Sequence, residues 1–326
     1  MATTLVRLGS LLVLSALAWP QAAPSGGTDG PFTLAVLRRD GVVIPFAEFD
    51  GRRWRNPWPV VGKNVEIPLR LPDIPPGWWP RNTPIEAWTA WPLQGVRAEV
   101  RSEAPVTVVA HCQLALGIRT SYKPAESPPP ETEQPYPKDG LAASGDVVVE
   151  RPVVIEASAA EWTAVQEEVQ QKVTQLENRV LVHREKNWLR TISPGERAKT
   201  PFTPEVIMKV SPRAFYFEGI KTYPPQAPTS LGPGRLVRSS CNRLTYAAGW
   251  VLVPESGKPK VQASADLTDC DREGMLYSLP LGVIRRGDVL FWVVQVSGWG
   301  YERYEVLEVR GDRLKSGIVV PGGWCE

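Results

Sequence analysis

The chain has 326 residues, of which 22% are charged, and its formal net charge is +2. This length suffices for one large domain or for two smaller ones, each with its own core. The near balance of charge argues against a nucleic-acid-binding protein, which needs a surplus of cations on one face, and against a polybasic membrane tether.

The first 23 residues have the features of a signal peptide. Arg7 precedes an apolar run from Leu8 to Trp19, and either Ala16–Ala18 or Gln21–Ala23 would provide the small-residue cleavage site. The run is too short to span a bilayer, and no later stretch approaches twenty apolar residues, so we predict no transmembrane span. The mature protein is therefore expected to be secreted or periplasmic.

The N-terminal half, residues 24–122, alternates apolar runs with turn signals. Strands predicted at Phe32–Arg39 and Val42–Phe46 flank an Asp40-Gly41 turn, which tolerates the positive φ of a tight hairpin. Later strands include one predicted to run from Val106 to Ser121. Residues 123–140 are rich in proline and acidic residues and lack an apolar period, so an exposed loop or linker is predicted there.

Residues 141–190 combine a strand with one long helix. From Ser158 to about His183, apolar residues recur every three or four positions, which places them on one helix face. These residues are Trp162, Val165, Val169, Val173, Leu176 and Val180. Ser158 and Glu161 have the spacing of a capping box, and the opposite face, which includes Glu177, is expected to be solvated. We predict that the apolar stripe packs against one β-rich half.

The C-terminal half, residues 191–326, has predicted strands at intervals of about ten residues, the spacing of antiparallel all-β proteins. The expected fold is therefore mainly β, with antiparallel sheets in a sandwich- or propeller-like arrangement and one long amphipathic helix between two β-rich halves. Leu34–Phe46 aligns without gaps on Leu281–Val293. This similarity reflects either a true repeat or the residue pattern that strand–turn–strand units have in common.

The four cysteines are informative because an oxidising compartment favours disulfides. Cys241 and Cys270 lie at similar distances from a turn near Pro254–Gly257, so antiparallel pairing of the strands between them brings the two together. Cys112 and Cys325 are then left to form the second bond. No pair has the C-x-x-C spacing, so a structural zinc site has little support.

No enzyme motif is present, but one acidic run offers candidate chemistry. Asp266, Asp269, Asp271 and Glu273 lie within eight residues. They could hold Ca²⁺, which binds six to eight oxygen ligands, or provide the acid and base of a glycoside hydrolase. Alternatively, these aspartates bond to the backbone of their own turns. No other cofactor is expected.

Four tryptophans form the second candidate site. Trp54, Trp58, Trp78 and Trp79 lie in proline-stiffened segments, where an exposed ring could stack on a sugar or anchor an interface. Adjacent rings cannot easily face one core, so we expect Trp78 or Trp79 to be exposed. The alternative is that tryptophans fill sheet ends, and this packing role is the one expected for Trp299.

The leading hypothesis is a secreted cell-envelope binding protein rather than an enzyme, whose partner is a polysaccharide or another envelope protein. Two alternatives are a secreted carbohydrate-active hydrolase that uses the acidic run, and a structural or assembly component of the envelope whose proline-rich loop contacts a partner. Glu302, Glu305 and Glu308 are interpreted as the solvated side of an outer strand, with no function attached.

Overall fold

The computed structural model describes residues 30–62, 66–183, 188–225, 229–230, 236–237, 241–272 and 274–325. The predicted signal peptide, residues 1–23, lies outside this part of the chain. The described residues form a mainly antiparallel β fold with a single helix of seven or more residues, which confirms the predicted fold class. None of their helices has both the length and the apolar character needed to cross a membrane.

Six N-terminal strands form a closed antiparallel barrel. The strands of this half are β1 (Phe32–Arg38), β2 (Val42–Phe49), β3 (Trp54–Arg55), β4 (Ala87–Pro92), β5 (Ala98–Ala110), β6 (Gln113–Thr120) and β7 (Lys138–Gly145). They pair in the order β1-β7-β4-β5-β6-β2, and β1 also pairs with β2, which closes the barrel. The short β3 extends β2 beyond the barrel. The proline-rich segment therefore connects two strands of one barrel.

The single strand predicted from Val106 to Ser121 is wrong. The chain turns at His111 and Cys112 between β5 and β6, and His111 has a left-handed φ of 54°. No glycine or proline marks this turn in the sequence, so the usual turn signal was missing. His111 and Cys112 consequently do not point to opposite faces of one strand.

The barrel interior is filled from all six strands and from the loop between β3 and β4. The strand residues in this core are Ala35, Leu37, Val43, Trp88, Ala90, Val100, Leu116, Ile118 and Ala142. The loop contributes Trp58, Ile74 and Trp79 and makes 3-10 turns at Leu71–Asp73, Pro76–Trp78 and Pro80–Asn82. These turns cover one end of the barrel with buried aromatic and aliphatic side chains.

Apart from a 3-10 turn at Trp188–Thr191, the remaining described elements are three α-helical segments and the strands of two five-stranded sheets and one two-stranded sheet. In chain order they are β8 (Val149–Glu150), β9 (Val153–Val154), α1 (Ala160–Thr163), α2 (Gln166–His183), α3 (Pro194–Lys199), β10 (Thr203–Ser211), β11 (Ala214–Tyr223), β12 (Thr229–Ser230), β13 (Leu236–Val237), β14 (Arg243–Leu252), β15 (Lys260–Asp269), β16 (Tyr277–Arg286), β17 (Val289–Gly298), β18 (Tyr301–Arg310) and β19 (Arg313–Trp324). One sheet has the order β19-β18-β17-β16-β8 and the other β15-β14-β11-β10-β9, while β12 pairs with β13.

The β16–β19 sheet is buried on both faces. Along β17, Phe291 and Val293 pack against the outer face of the barrel, whereas Leu290, Trp292 and Val294 pack against β10, β11 and β14. Successive side chains of a strand point to opposite faces, so burial on both sides explains the nearly continuous apolar run of β17. The order of layers is barrel, β16–β19 sheet, β10–β15 sheet and helix α2.

The similarity between Leu34–Phe46 and Leu281–Val293 corresponds to two hairpins. The first is β1–β2, which closes the barrel, and the second is β16–β17, which lies in an open sheet. The two hairpins have different neighbouring strands. The structural similarity is therefore limited to the hairpin itself and does not extend to a larger repeat unit.

Helix α2 packs on the β10–β15 sheet as predicted, but the single helix predicted from Ser158 is wrong, because α1 ends at Thr163 and α2 begins at Gln166. Trp162, Val165, Val169 and Val173 form one core with Phe217 and its neighbours. The predicted capping box is wrong, because the cap of α1 is Ala159, which makes no side-chain bond. Glu161 instead pairs with Lys209 at 2.9 Å.

Glu177 corrects the prediction that the opposite face of α2 is solvated throughout. Its carboxylate is fully buried and accepts hydrogen bonds from Lys221 Nζ at 2.7 Å and from the Tyr223 hydroxyl at 2.8 Å. Lys221 points from β11 towards the helix and also donates to the Arg197 carbonyl at 2.6 Å. The partner that makes burial of Glu177 tolerable therefore comes from a distant strand, which helical periodicity cannot reveal.

Both predicted disulfides are present. Cys112 and Cys325 have Cα atoms 4.8 Å apart, and Cys241 and Cys270 have Cα atoms 5.6 Å apart. The second bond closes the β14–β15 hairpin just beyond its last residue pair, as its position relative to the turn predicted.

We expect Val169→Asp to lower the free energy of unfolding by about 3–5 kcal/mol, because it buries an unpaired charge between α2 and the sheet. Urea denaturation measures the loss. Gln175→Asp, on the exposed side of the same helix, is the matched control and should cost much less. Equal midpoints for the two variants would contradict the packing of α2.

Removing Cys112–Cys325 should be costlier than removing Cys241–Cys270. The first bond joins residues 213 apart and the second residues 29 apart. The chain-entropy model then gives losses of about 5 and about 3.5 kcal/mol for the two double serine variants. Denaturant titration measures both losses, and peptide mapping without reduction verifies the pairing in the parent chain. A larger loss for the shorter loop would contradict the entropic account.

Candidate binding site

The four tryptophans predicted to bind a ligand contribute to packing. Trp58 and Trp79 are only 5% and 2% exposed, inside the barrel. Trp54 is half-buried and meets Phe291 edge-on at a centroid distance of 5.1 Å. Trp78 is half-buried and packs against the same core as Trp79, so the expectation that one of these two rings is exposed is wrong. A ligand-binding role for these four residues stays a prediction.

The acidic run is not gathered at one point. Asp266 and Asp269 are three residues apart on β15, so their side chains leave opposite faces of the sheet. Asp269 accepts a hydrogen bond from the Asp271 amide at 3.1 Å, which is the turn role considered above. Glu273 lies outside the described residues, and within those described no group of three or more His, Cys, Asp or Glu is placed to hold a metal. Calcium binding by the full run stays a prediction.

Trp299 is the exposed aromatic residue that sequence reasoning missed. It lies at the tip of the β17–β18 hairpin and is 89% exposed, so the packing role expected for it is wrong. Gly300 has a φ of 64°, and a Cβ on Gly298 would come within 2.8 Å of Leu276 Cδ2. The two flanking glycines therefore make the tight tip that holds the indole in solvent. The Gly-Trp-Gly pattern was the available signal.

A depression of about 450 Å³ lies beside this indole, and we call it the Trp299 site. Its lining residues are Pro135, Asp271, Arg272, Gly274, Met275, Tyr277, Ser297, Gly298 and Trp299. Part of the acidic run, Asp271, and part of the proline-rich loop, Pro135, thus come together at the hairpin tip. The volume lies within the range of small-ligand pockets, about 300–1,000 Å³.

Two disulfides hold the walls of the Trp299 site. Cys270, bonded to Cys241, directly precedes Asp271. On the other side, the Cys325 amide donates to the Gly300 carbonyl at 2.8 Å, and Cys325 is bonded to Cys112 on the β5–β6 turn. The proline-rich wall is tied down as well, because Gln134 Oε1 accepts from the His111 amide at 2.9 Å. The site is therefore preformed.

The polar groups of the Trp299 site carry both signs of charge. Arg272 forms a bidentate pair with Glu205, with N–O distances of 2.7 and 2.6 Å, and this hydrogen bonding raises the pKa of Arg272 above its ordinary value. Asp271 is exposed, and Tyr277 packs edge-on against Tyr246. The indole thus has hydroxyl, carboxylate and guanidinium groups around it, which can donate to and accept from a polar ligand.

A buried polar cluster lies at the base of the same hairpin. Glu302 is 1% exposed and accepts from the Tyr304 hydroxyl at 2.6 Å, from Lys138 Nζ at 3.1 Å and from Gln295 Nε2 at 3.4 Å. His111 Nε2 lies 3.8 Å from the Glu302 carboxylate and has no hydrogen-bond partner. The interpretation of Glu302 as a solvated residue is therefore wrong.

The error at Glu302 has a simple geometric cause. Glu302 and Glu305 are three residues apart on one strand, so they occupy opposite faces of the sheet. Glu302 shares the barrel-facing side with Tyr304 and Val306, whereas Glu305 pairs with Arg303 on the other side. Glutamate spacing along a strand was treated as if the three side chains shared one face.

Burial lowers the pKa values of both His111 and Lys138. Desolvation lowers the pKa of the His111 imidazole below its ordinary value, although the nearby Glu302 carboxylate acts in the opposite direction. Burial likewise lowers the pKa of the Lys138 ammonium, again opposed by Glu302. His111 is therefore neutral in the folded protein at neutral pH, and the cluster has a single ion pair, Lys138 with Glu302.

No protein-family model, curated protein or solved structure matches this chain. Its function is accordingly inferred from the geometry above.

Stability should fall on mild acidification because of His111. The unfolded chain takes up a proton near pH 6.5, whereas the buried imidazole resists protonation until lower pH. The contribution is thus complete above pH 6.5 and is lost as the pH falls towards the depressed pKa, by up to about 1.4 kcal/mol per pH unit. Denaturant titrations at a series of pH values measure this slope.

His111→Gln is the control for this dependence, because glutamine keeps a polar side chain without a titrating group. Its free energy of unfolding should vary less with pH than that of the parent chain. Parallel curves for the two proteins would show that His111 does not titrate differently on folding.

Proposed function

We propose that this protein binds glycans in the cell envelope or outside the cell, and that the Trp299 site is its recognition surface. The observation that carries this proposal is the indole of Trp299, which is 89% exposed at a glycine-flanked hairpin tip beside a preformed depression. Tryptophan is highly buried on average, so an indole that a tight hairpin tip holds almost entirely in water is a candidate contact surface.

Sugar chemistry fits the groups around the indole. A pyranose ring presents an apolar C–H face, which stacks on an aromatic ring, and an equatorial rim of hydroxyls. Asp271, Arg272, Tyr277 and Ser297 offer acceptors and donors for such hydroxyls. Hydrogen bonds that the Asp271 carboxylate accepts from sugar hydroxyls would be charge-assisted and therefore the stronger ones, whereas the Arg272 guanidinium is already paired with Glu205. Mixed charge in the site favours a neutral or weakly charged saccharide.

Two features support the proposed location of the protein outside the cytoplasm. The predicted signal peptide at residues 1–23 would direct export, and the two disulfides are bonds that persist in oxidising compartments. A periplasmic or extracellular address brings the chain into contact with envelope polysaccharides.

The placement of the carboxylates favours binding over hydrolysis. A glycoside hydrolase needs two carboxyl groups facing one bond at about 5–10 Å. Asp266 and Asp269, the members of the acidic run with strand positions, leave opposite faces of β15, which gives the hydrolase hypothesis less support. The assembly hypothesis retains one supporting feature, since Pro135 of the proline-rich loop lines the same site.

Trp299→Ala should weaken glycan binding at least tenfold, because stacking on the indole is lost while the fold is retained. Affinity electrophoresis against a panel of soluble plant, microbial and peptidoglycan-derived saccharides identifies the ligand, and calorimetry measures the affinity. Trp299→Phe should keep part of the affinity. Leu69→Ala is the control, because Leu69 is similarly exposed but lies in the loop between β3 and β4 and does not line the Trp299 site.

Two outcomes would overturn the proposal. One is a glycan that binds the parent chain and Trp299→Ala equally, which would place recognition elsewhere. The other is an absence of glycan binding together with a Trp299-dependent complex with an envelope protein, since exposed tryptophans also act as interface hot spots.

A further inference from the structure

A second cleft, of about 430 Å³, lies where the covering loop meets one end of the barrel. Its walls are the start of β1, the ends of β2 and β7 and the start of β4, together with the last 3-10 turn of the covering loop and the residues that follow it. Phe32 and Ile85 are buried apolar residues among those that line it. Barrel mouths are common places for ligand sites, and this volume is that of a small-molecule pocket.

One carboxylate in the cleft is already neutralised. Glu48 is buried and accepts two hydrogen bonds from Arg55, at 2.7 Å from Nε and 3.2 Å from the terminal nitrogen. A bidentate pair of this kind occupies both carboxylate oxygens. Glu48 therefore contributes shape and rigidity rather than an available charge.

Two other charges in the cleft have no ion-pair partner within the described part of the chain. Arg81 and Glu86 are both exposed and line the same cleft. They are five residues apart, so their backbones are separated by at most about 18 Å. Hydroxyls of Thr33, Thr83 and Ser144 lie along the same walls.

Arg81 is held in a conformation that an arginine rarely adopts. Its φ is 55°, in the left-handed region, where the Cβ of an L-residue crowds the backbone. Hydrogen bonds fix this turn, from the Asn82 amide to the Trp79 carbonyl and from the Thr83 amide to the Pro80 carbonyl, both at 3.0 Å. Trp79 is anchored in the barrel core, so Arg81 is presented by a rigid support. Strained backbone of this kind concentrates at functional sites.

The geometry points to a zwitterionic ligand, and we propose that the cleft binds a free amino acid or a short peptide through both charged ends. The guanidinium of Arg81 would receive the carboxylate, for which its planar donors are suited. The Glu86 carboxylate would receive the ammonium, and the hydroxyls would bond to amide groups. The two available charges sum to zero. Glu86 would repel a purely anionic ligand, and Arg81 would repel a purely cationic one.

Calorimetry with the full chain tests this proposal with defined probes. Glycine, L-alanine and L-alanyl-L-alanine are titrated first, followed by N-acetyl-alanyl-alanine and alanyl-alanine amide. We expect saturable binding of at least one zwitterion, and at least a tenfold weaker affinity when either end of that ligand is blocked.

Variants assign the ends of the ligand. Arg81→Gln should abolish the preference for a free carboxylate while keeping the preference for a free ammonium, and Glu86→Gln should do the reverse. Arg101→Gln and Glu99→Gln, at exposed positions on β5, are matched controls and should bind like the parent chain. Thermal melts should be unchanged for Glu86→Gln, because its side chain is exposed and makes no ion pair in the described structure.

The proposal is overturned if none of the three zwitterions binds up to about 10 mM, or if blocked and free dipeptides bind equally. It is also overturned if Arg81→Gln and Glu86→Gln leave both preferences intact. Trp299→Ala should bind the dipeptide normally, so failure of this proposal and failure of glycan binding are distinguishable.

Discussion

The structure depends on the burial of the β16–β19 sheet on both of its faces. Phe291 and Val293 pack against the barrel, and Trp292 and Val294 pack against the β10–β15 sheet, so this sheet is the layer between the barrel and the sheet that carries helix α2. Each large side chain fully removed from water contributes on the order of 1.5–3 kcal/mol. Removing either contact would expose a complete apolar sheet face, and for this reason the layers are expected to be stable together rather than separately.

Two buried ion pairs fix how elements distant in sequence meet. Lys138 with Glu302 joins β7 of the barrel to β18, across 164 residues, and Lys221 with Glu177 joins β11 to α2, across 44 residues. The cost of desolvating such pairs roughly cancels their attraction, so they are poor sources of stability. A shifted packing would leave a charge buried without a partner. Their effect is therefore to penalise wrong registers between layers.

Sequence reasoning succeeded where the signal was local. The stripe from Trp162 to Val173 predicted the buried helix face, and the symmetric spacing of Cys241 and Cys270 about a turn predicted their bond. Closure of the barrel depends on β1 pairing with both β2 and β7, and no local pattern specifies the second partner. Glu177 was predicted to be exposed and is buried for the same reason, because its partner Lys221 is remote in sequence.

The candidate site also combines features that local sequence patterns predict with contacts between residues remote in sequence. Asp271 and Pro135 belong to segments that were singled out from composition, but their meeting at one depression results from the layer order and from two disulfides. Trp299 was assigned to packing because most tryptophans in β proteins pack. The glycines at positions 298 and 300 carried the contrary information, since a tip with this geometry leaves its central side chain nothing to pack against.

The long span of the Cys112–Cys325 bond imposes an order on biogenesis. Cys112 emerges first, whereas its partner follows 213 residues later, after the Cys241–Cys270 hairpin has already appeared. During vectorial synthesis or export, the barrel thiol must therefore stay reduced, or bond provisionally, while two competing thiols pass by. If the nearby cysteines pair first within their own hairpin, those competitors are removed, and the local bond then protects the distant one from mispairing.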